Sequence, residues 1–295
     1  MVKKIYYGGQ AVVEGVMMRG QKTVVTVVRR PNGELAIDTQ PLPTMYTGQM
    51  RKSPLIRGII VLIENLVLGV KSLFYSANVS LEEEGEEVSG GLVWVIVAVS
   101  LVLAVALFFV APLFLTRLLD IQSSLVFNLV DGSIRVAMFI IYLKVMTLVP
   151  DIKRVFAYHG AEHKVVNAYE AGVPLEVEAV KGDSTAHVRC GTSFLFVVLI
   201  ISIVVFALIG LHTLWWMVLS RIVLIPIIAA FGYEVIYFGA RHIDNGLFRA
   251  ILLPGMWLQA LTTREPDDSQ LEVAITALKR VIEADKLEEV AQASF

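Results

Sequence analysis

The sequence predicts a mainly α-helical membrane protein, with about four transmembrane helices, a further apolar helix at the interface and a small amino-terminal β-hairpin element. Three observations carry that expectation. Of 295 residues, 56% are hydrophobic and mean hydropathy is +0.69, outside the range of soluble globular chains. The excess is gathered into stretches of about 20 residues, the length that crosses the hydrocarbon core as a helix. The amino-terminal region instead carries a valine-rich run and turn signals.

Residues 1–53 read as the β-rich element. Lys22 to Arg30 is the valine-rich run, Pro31-Asn32-Gly33 is a turn signal, and Glu34 to Asp38 resumes alternation, which predicts a hairpin. Before it, Gly8 to Gly20 interleaves glycines with apolar residues around Glu14 and Arg19. Residues 54–78 are apolar but interrupted by Arg57, Glu64, Asn65 and Lys71, so a helix in the interface or packed on the bundle is expected. A fifth crossing is the alternative, and it would invert half the topology. Residues 79–91 hold the acidic run LEEEGEEVS, a solvated linker.

Gly91 to Leu115 and Leu125 to Val149 form the first transmembrane pair, within 92–149; Phe194 to Leu211 and Leu214 to Phe238 form the second, within 194–239. Between the pairs, 150–193 has helix-forming composition from Asp151 to Ala171 and a short strand candidate from Leu175 to Val180. Residues 240–295 comprise an amphipathic or re-entrant segment, Leu247 to Leu261, and a charged helix, Asp268 to Glu289. There is no internal repeat of the kind that marks duplicated transporters.

A net charge of -2 offers no basic field for nucleic acid. The basic residues are sorted, however. Lys3, Lys4, Arg19, Lys22, Arg29, Arg30, Arg51 and Lys52 precede the first span; Lys153, Arg154, Lys164, Lys181 and Arg189 lie in the middle loop; the opposite turns offer little beyond Arg117. The positive-inside bias therefore makes the middle loop and both termini cytoplasmic in a multi-pass protein. No apolar run follows Lys3 and Lys4, so no cleaved signal peptide is expected. A single cysteine, Cys190, excludes an internal disulfide.

The chemistry concentrates in the middle loop. His159-Gly160-Ala161-Glu162-His163 has the order H-x-x-E-H, the inverted zincin arrangement, with two imidazoles four apart on one helical face and a carboxylate able to act as base. His187-Val188-Arg189-Cys190 stands just before the third span. His159, His163, His187 and Cys190 together would close a tetrahedral structural zinc site, whereas three of them would leave an open position with Glu162 as general base. Both readings stay open, beside the plainer one of hydrogen-bonded histidines and a packing cysteine. Imidazole with thiolate favours zinc over magnesium or calcium. Glu234, inside the fourth span, would complete the shell in place of Cys190 or pair with Arg135 or Lys144.

The strings GGQAVVEGVMMRG, YHGAEHKVVNAYE and HVRCGTSF resemble the YqhQ-like family of bacterial membrane proteins, grouped as a domain of unknown function and described as predicted metal-dependent enzymes. The likeness runs from about Tyr7 to Thr263. It implies a polytopic protein of the bacterial cytoplasmic (inner) membrane with a metal site. Its pattern falls on Glu14 and Arg19, on His159, Glu162, His163 and Glu170, and on His187, Arg189 and Cys190.

Two functions are then expected. One is a metal-dependent hydrolase at the cytoplasmic interface, in which His159, His163 and either His187 or Cys190 hold the ion and Glu162 moves the proton. Arg19 or Arg189 would stabilise developing negative charge, with Glu14 a further catalytic candidate. Its partner is the lipid bilayer, and its substrate lipid-like or a membrane peptide. The other is a scaffold or assembly factor for membrane-protein partners, with zinc as a staple. Transport past Glu234, Glu64 and Arg135 is a third reading, and it lacks the repeats that usually accompany it.

Overall fold

The computed structural model describes residues 6–82, 89–210 and 213–293. The acidic linker, at 83–88, and the turn containing His212 lie outside the described residues.

The amino-terminal hairpin is part of a larger unit. Four strands, β1 (Gly8–Val12), β2 (Gly15–Arg19), β3 (Thr23–Arg29) and β4 (Leu35–Pro41), form an antiparallel meander in sequence order. β2 pairs with β3 in a register that sets Met17 opposite Thr26 and Met18 opposite Val25. The glycine-rich string thus makes β1 and β2. Its lack of polar alternation follows from burial of the sheet on both faces. Val12, Met17, Val24 and Val28 pack against α2 (Ile56–Leu81), through Ile60, Leu68 and Val79. Val16, Met18, Val25 and Val27 pack on the other side against α6 (Pro150–Ala171) and α11 (Asp268–Ala293).

Between β4 and α2 the chain makes a short helix, α1 (Thr44–Thr47), and one 3-10 turn. α2 then lies on the sheet: Thr26 Oγ1 and Ser72 Oγ are 3.0 Å apart, and Glu64, 1% exposed, receives Arg19 Nε at 2.9 Å and also Arg51. Its other side leaves Ile56, Ile59, Ile63 and Leu66 exposed. Of the charges that break its apolar run, Glu64 turns to the sheet, Arg57 pairs with Glu234 and Lys71 is exposed.

Five helical segments are long and apolar enough to cross a membrane: α2, the continuous run 90–117, α5 (Ser124–Met146), α8 (Gly191–Ile209) and α9 (Leu214–Arg241). The run 90–117 consists of α3 (Gly90–Val105), a π-helical turn and α4 (Ala111–Arg117). The π turn falls where Pro112 withholds the backbone N–H that residue 108 would accept. α5, α8 and α9 share apolar cores such as Phe139 with Leu199, and Val198 with Ile228. Inside this bundle Asp131 Oδ2 accepts from Arg135 at 2.6 Å and from Arg221 at 3.1 Å, all three residues being at most 2% exposed.

α10 (Gly246–Gln259) rests on α8 and α9. The expected strand at Leu175 to Val180 is instead a helical turn, α7 (Val177–Val180). Local bonds such as Val180 N–H to Glu176 O, 3.0 Å, satisfy backbone groups there, and Val180 is buried in the α6–α11 core. The carboxyl-terminal helix is amphipathic as well as charged: Leu271, Ala274, Leu278 and Val281, spaced as one helical face, enter the core under the sheet. Asp285 on the same helix accepts from the backbone N–H groups of Gln21, Lys22 and Thr23 and from the Thr23 hydroxyl, which locks α11 to the β2–β3 turn.

Candidate metal centre

α6 starts with Pro150 at its first turn, three residues after α5 ends, so one rigid helix carries the H-x-x-E-H residues away from the bundle. His159 and His163, one turn apart, lie side by side with ring centroids 4.4 Å apart and planes tilted by 60°. Cys190 faces them from the N-cap of α8, where its sulfur also accepts from Thr192 N–H at 3.4 Å. The ligand atoms of His159, His163 and Cys190 all lie within 4.8 Å of one another.

Both imidazoles are oriented from behind. His159 Nδ1 lies 2.8 Å from Thr262 O and His163 Nδ1 lies 2.6 Å from Thr185 O. A carbonyl oxygen only accepts, so each Nδ1 carries a proton, and Nε2 is the ring nitrogen left to meet a metal. Cys190 Sγ is 3.3 Å from His159 Nε2. Glu162 Oε2 is 3.5 Å from His163 Nε2. The set has one sulfur and two nitrogens, with a carboxylate beside it.

The glycine within the motif has a physical role. A Cβ on Gly160 would fall 2.0 Å from Arg264 O, because the chain after α10 crosses α6 there, with Arg264 N–H bonded to Phe156 O at 2.9 Å. That crossing delivers the Thr262 carbonyl to His159. Gly9 on β1 similarly makes room for Glu162, whose Cγ would lie 2.8 Å from a Cβ at that position. Gln259, fully buried at the end of α10, joins the remaining pieces: it accepts from His187 N–H at 2.8 Å and donates to His187 O at 2.9 Å and Ser193 Oγ at 2.7 Å.

The other sequence candidates stand elsewhere. His187 is buried with its ring centroid 5.8 Å from that of His163, and its Nε2 points toward Glu170 at 3.7 Å. Arg189 pairs with Glu170 and lies over the Tyr6 ring at 4.5 Å. Burial by itself would raise the Glu170 carboxyl, but the His187 ring and the Arg189 guanidinium outweigh it and hold it down at about 2. Arg19 is committed to Glu64. Glu14, at a left-handed φ of 49° in the β1–β2 turn, takes both Arg154 Nε and Nη2, at 2.6 and 2.5 Å. Glu234 pairs with Arg57 and accepts from Leu55 N–H at 3.0 Å, so its partner is the start of α2, away from Arg135, which belongs to Asp131.

The profile of the family described as "Protein of unknown function (DUF1385)" matches residues 53–284. The chain belongs to that family. It is 35% identical to the Bacillus subtilis (strain 168) protein described as "Uncharacterized protein YqhQ", over an alignment covering 96% of this chain and 94% of that one. No solved structure matches. In this DUF1385 chain the residues that reasoning from motifs misses are Thr185, Thr262 and Gln259. The first two act through backbone carbonyls, which leave no trace in side-chain type. Gln259 did leave one, as the polar residue closing an otherwise apolar helix.

Proposed function

We propose that this is a four-span membrane protein carrying a zinc-type centre on His159, His163 and Cys190, and that it acts as a metal-dependent hydrolase at the membrane surface. The observation that carries the metal reading is the pair of Nδ1 bonds to Thr262 and Thr185, which leaves each Nε2 as the ligand atom, with the ligand atoms of His159, His163 and Cys190 within 4.8 Å of one another. Two imidazoles and a thiolate suit zinc, and three protein ligands leave a coordination position open. When bound, such an ion supplies Lewis-acid chemistry. The chain's own contribution is to hold the ligands in their tautomer and to keep a proton-accepting carboxylate, Glu162, next to them.

The topology rests on parity. The sheet, α6 and α11 share one core, so they lie on one side of a membrane. Between the sheet and α6 come α2, the run 90–117 and α5, of which an even number cross; between α6 and α11 come α8 and α9, which cross together. The packing of α2 on the sheet supports its being the segment that does not cross. The basic residues of this shared side support a cytoplasmic location for it, at the inner membrane.

Burial supports a second reading, a structural zinc staple in a scaffold for membrane-protein partners. His163 is 1%, Glu162 5% and Cys190 6% exposed, and an ion there would tie α6 to α8 and to the segment after α10. Elemental analysis of purified, detergent-solubilised protein tests the shared core of both readings: about one zinc per chain is expected, lost in the His159→Ala/His163→Ala variant, and absence of metal from wild type prepared without chelator overturns it. Glu162→Gln then separates them, since a hydrolase keeps its zinc and loses turnover, whereas a staple loses neither zinc nor stability.

A further inference from the structure

Glu14 belongs to the glycine-rich string of the sequence but stands apart from the metal centre, and its surroundings have their own chemistry. A half-enclosed cavity of about 290 Å³ is lined by Glu14, Arg29, Arg30, Ser80 and Arg154, among others. We propose that this cavity binds a phosphate-bearing anion, either an anionic phospholipid headgroup or a soluble phosphate ester.

Three guanidinium groups and one carboxylate form the polar lining, and the other two partner carboxylates, Glu272 and Glu82, stand outside it. Glu14 is already engaged by Arg154 and by the Tyr158 hydroxyl at 3.4 Å, and it serves to aim Arg154. Arg29 spends its Nη groups on Gly33 O, Ser269 O and Glu272, while its buried Nε finds no partner among the described residues. Ser80 Oγ is likewise buried without a partner among them. Arg30 meets Glu82 at 3.0 Å in a solvent-exposed pair, which holds it weakly. Planar guanidinium donors match phosphate oxygens in pairs, and Arg29 and Ser80, both in the lining, each keep a buried polar atom without a partner among the described residues.

Position favours a membrane ligand. Arg154 is in the second turn of α6, directly after the span α5, and Ser80 ends α2 shortly before the chain enters the run 90–117. The cavity therefore opens beside two entry points to the bilayer, where basic pockets meet headgroups. This inference needs the membrane topology above but no metal at His159.

The test is calorimetric titration of the full chain in neutral detergent with short-chain phosphatidylglycerol, inorganic phosphate and, as a phosphate-free comparison, short-chain diacylglycerol. Saturable binding of a phosphate-bearing probe is expected, weakened at least tenfold in Arg30→Gln/Arg154→Gln. Ser80→Trp, which fills the cavity and keeps every charge, should show the same loss and decides the matter if the double variant does not fold. Binding of phosphatidylglycerol alone identifies the lipid headgroup; equal competition by inorganic phosphate identifies a soluble ester. The proposal is overturned if no phosphate probe saturates, if diacylglycerol binds as tightly as phosphatidylglycerol, or if the folded variants bind like wild type.

Discussion

His159 Nε2 and Cys190 Sγ stand 3.3 Å apart across 31 residues of chain, and neither side chain is free to turn away. The imidazole is held by Thr262 O and the cysteine by the N-cap geometry of α8. The contact joins the helix that carries the soluble core to a helix of the bundle. Perturbing either support changes the site without touching a candidate ligand.

Gly160→Ala is the sharpest such perturbation. Its Cβ would lie 2.0 Å from Arg264 O, so the segment bearing Thr262 moves and His159 loses its orienting bond. Loss of such support costs about 10- to 100-fold in metal affinity. Competition with a chromophoric chelator should show that drop in Gly160→Ala with His159, His163 and Cys190 all intact; wild-type affinity would detach the crossing from the site.

Asp131 is the sole acidic partner of Arg135 and Arg221 among the described residues. Its replacement by Asn leaves two buried guanidinium groups uncompensated, and breaking a buried pair costs about 3–5 kcal/mol. Arg221→Met should cost less, because one neutral Asp131–Arg135 pair survives. Thermal unfolding in detergent should rank wild type above Arg221→Met and Arg221→Met above Asp131→Asn.

Glu170 links pH to stability. Its carboxyl is held at about 2, against 4.5 for the free group, so the unfolded chain binds its proton first as pH falls. The stabilisation is complete above pH 4.5 and disappears between there and about 2. With its side chain 20% exposed, this amounts to about 2–3 kcal/mol. Relative to its own neutral stability, Glu170→Gln should lose less unfolding free energy than wild type as pH falls from 4.5 toward 2, and denaturant unfolding across that range reads the difference.

Topology is open to cysteine labelling in a Cys190→Ala background. Asn32→Cys, Glu178→Cys and Arg280→Cys should react only when the cytoplasmic face is exposed, while Asp120→Cys, in the turn between α4 and α5, should react in intact cells with the outer surface accessible. Labelling of Asn32→Cys and Asp120→Cys from the same side would remove the four-span arrangement.

The spans were legible because lipid imposes a one-dimensional rule, length times hydropathy, that any window of sequence displays. The H-x-x-E-H pair was legible because four residues make about one helical turn. The strands β1 and β2 were not, since a sheet buried on both faces shows no alternation, and α7 was not, since a short apolar run suits strand or turn equally. Glu234 illustrates a subtler limit: an acid within a span signals a partner, but Arg57 sits on another helix and nothing local points to it.

By itself, then, the sequence determined the helices long and apolar enough to cross a membrane, the helical reading of 150–171 and the residue types able to hold a metal, because these follow from local periodicity and composition. Tertiary structure alone decided which of them meet. It separated Glu14, Arg19, Arg189 and Glu234 from His159, His163 and Cys190, laid α2 along the sheet, and supplied two backbone carbonyls to fix the imidazoles. Those outcomes depend on contacts between segments far apart in the chain, where packing and charge pairing act and sequence spacing carries no information.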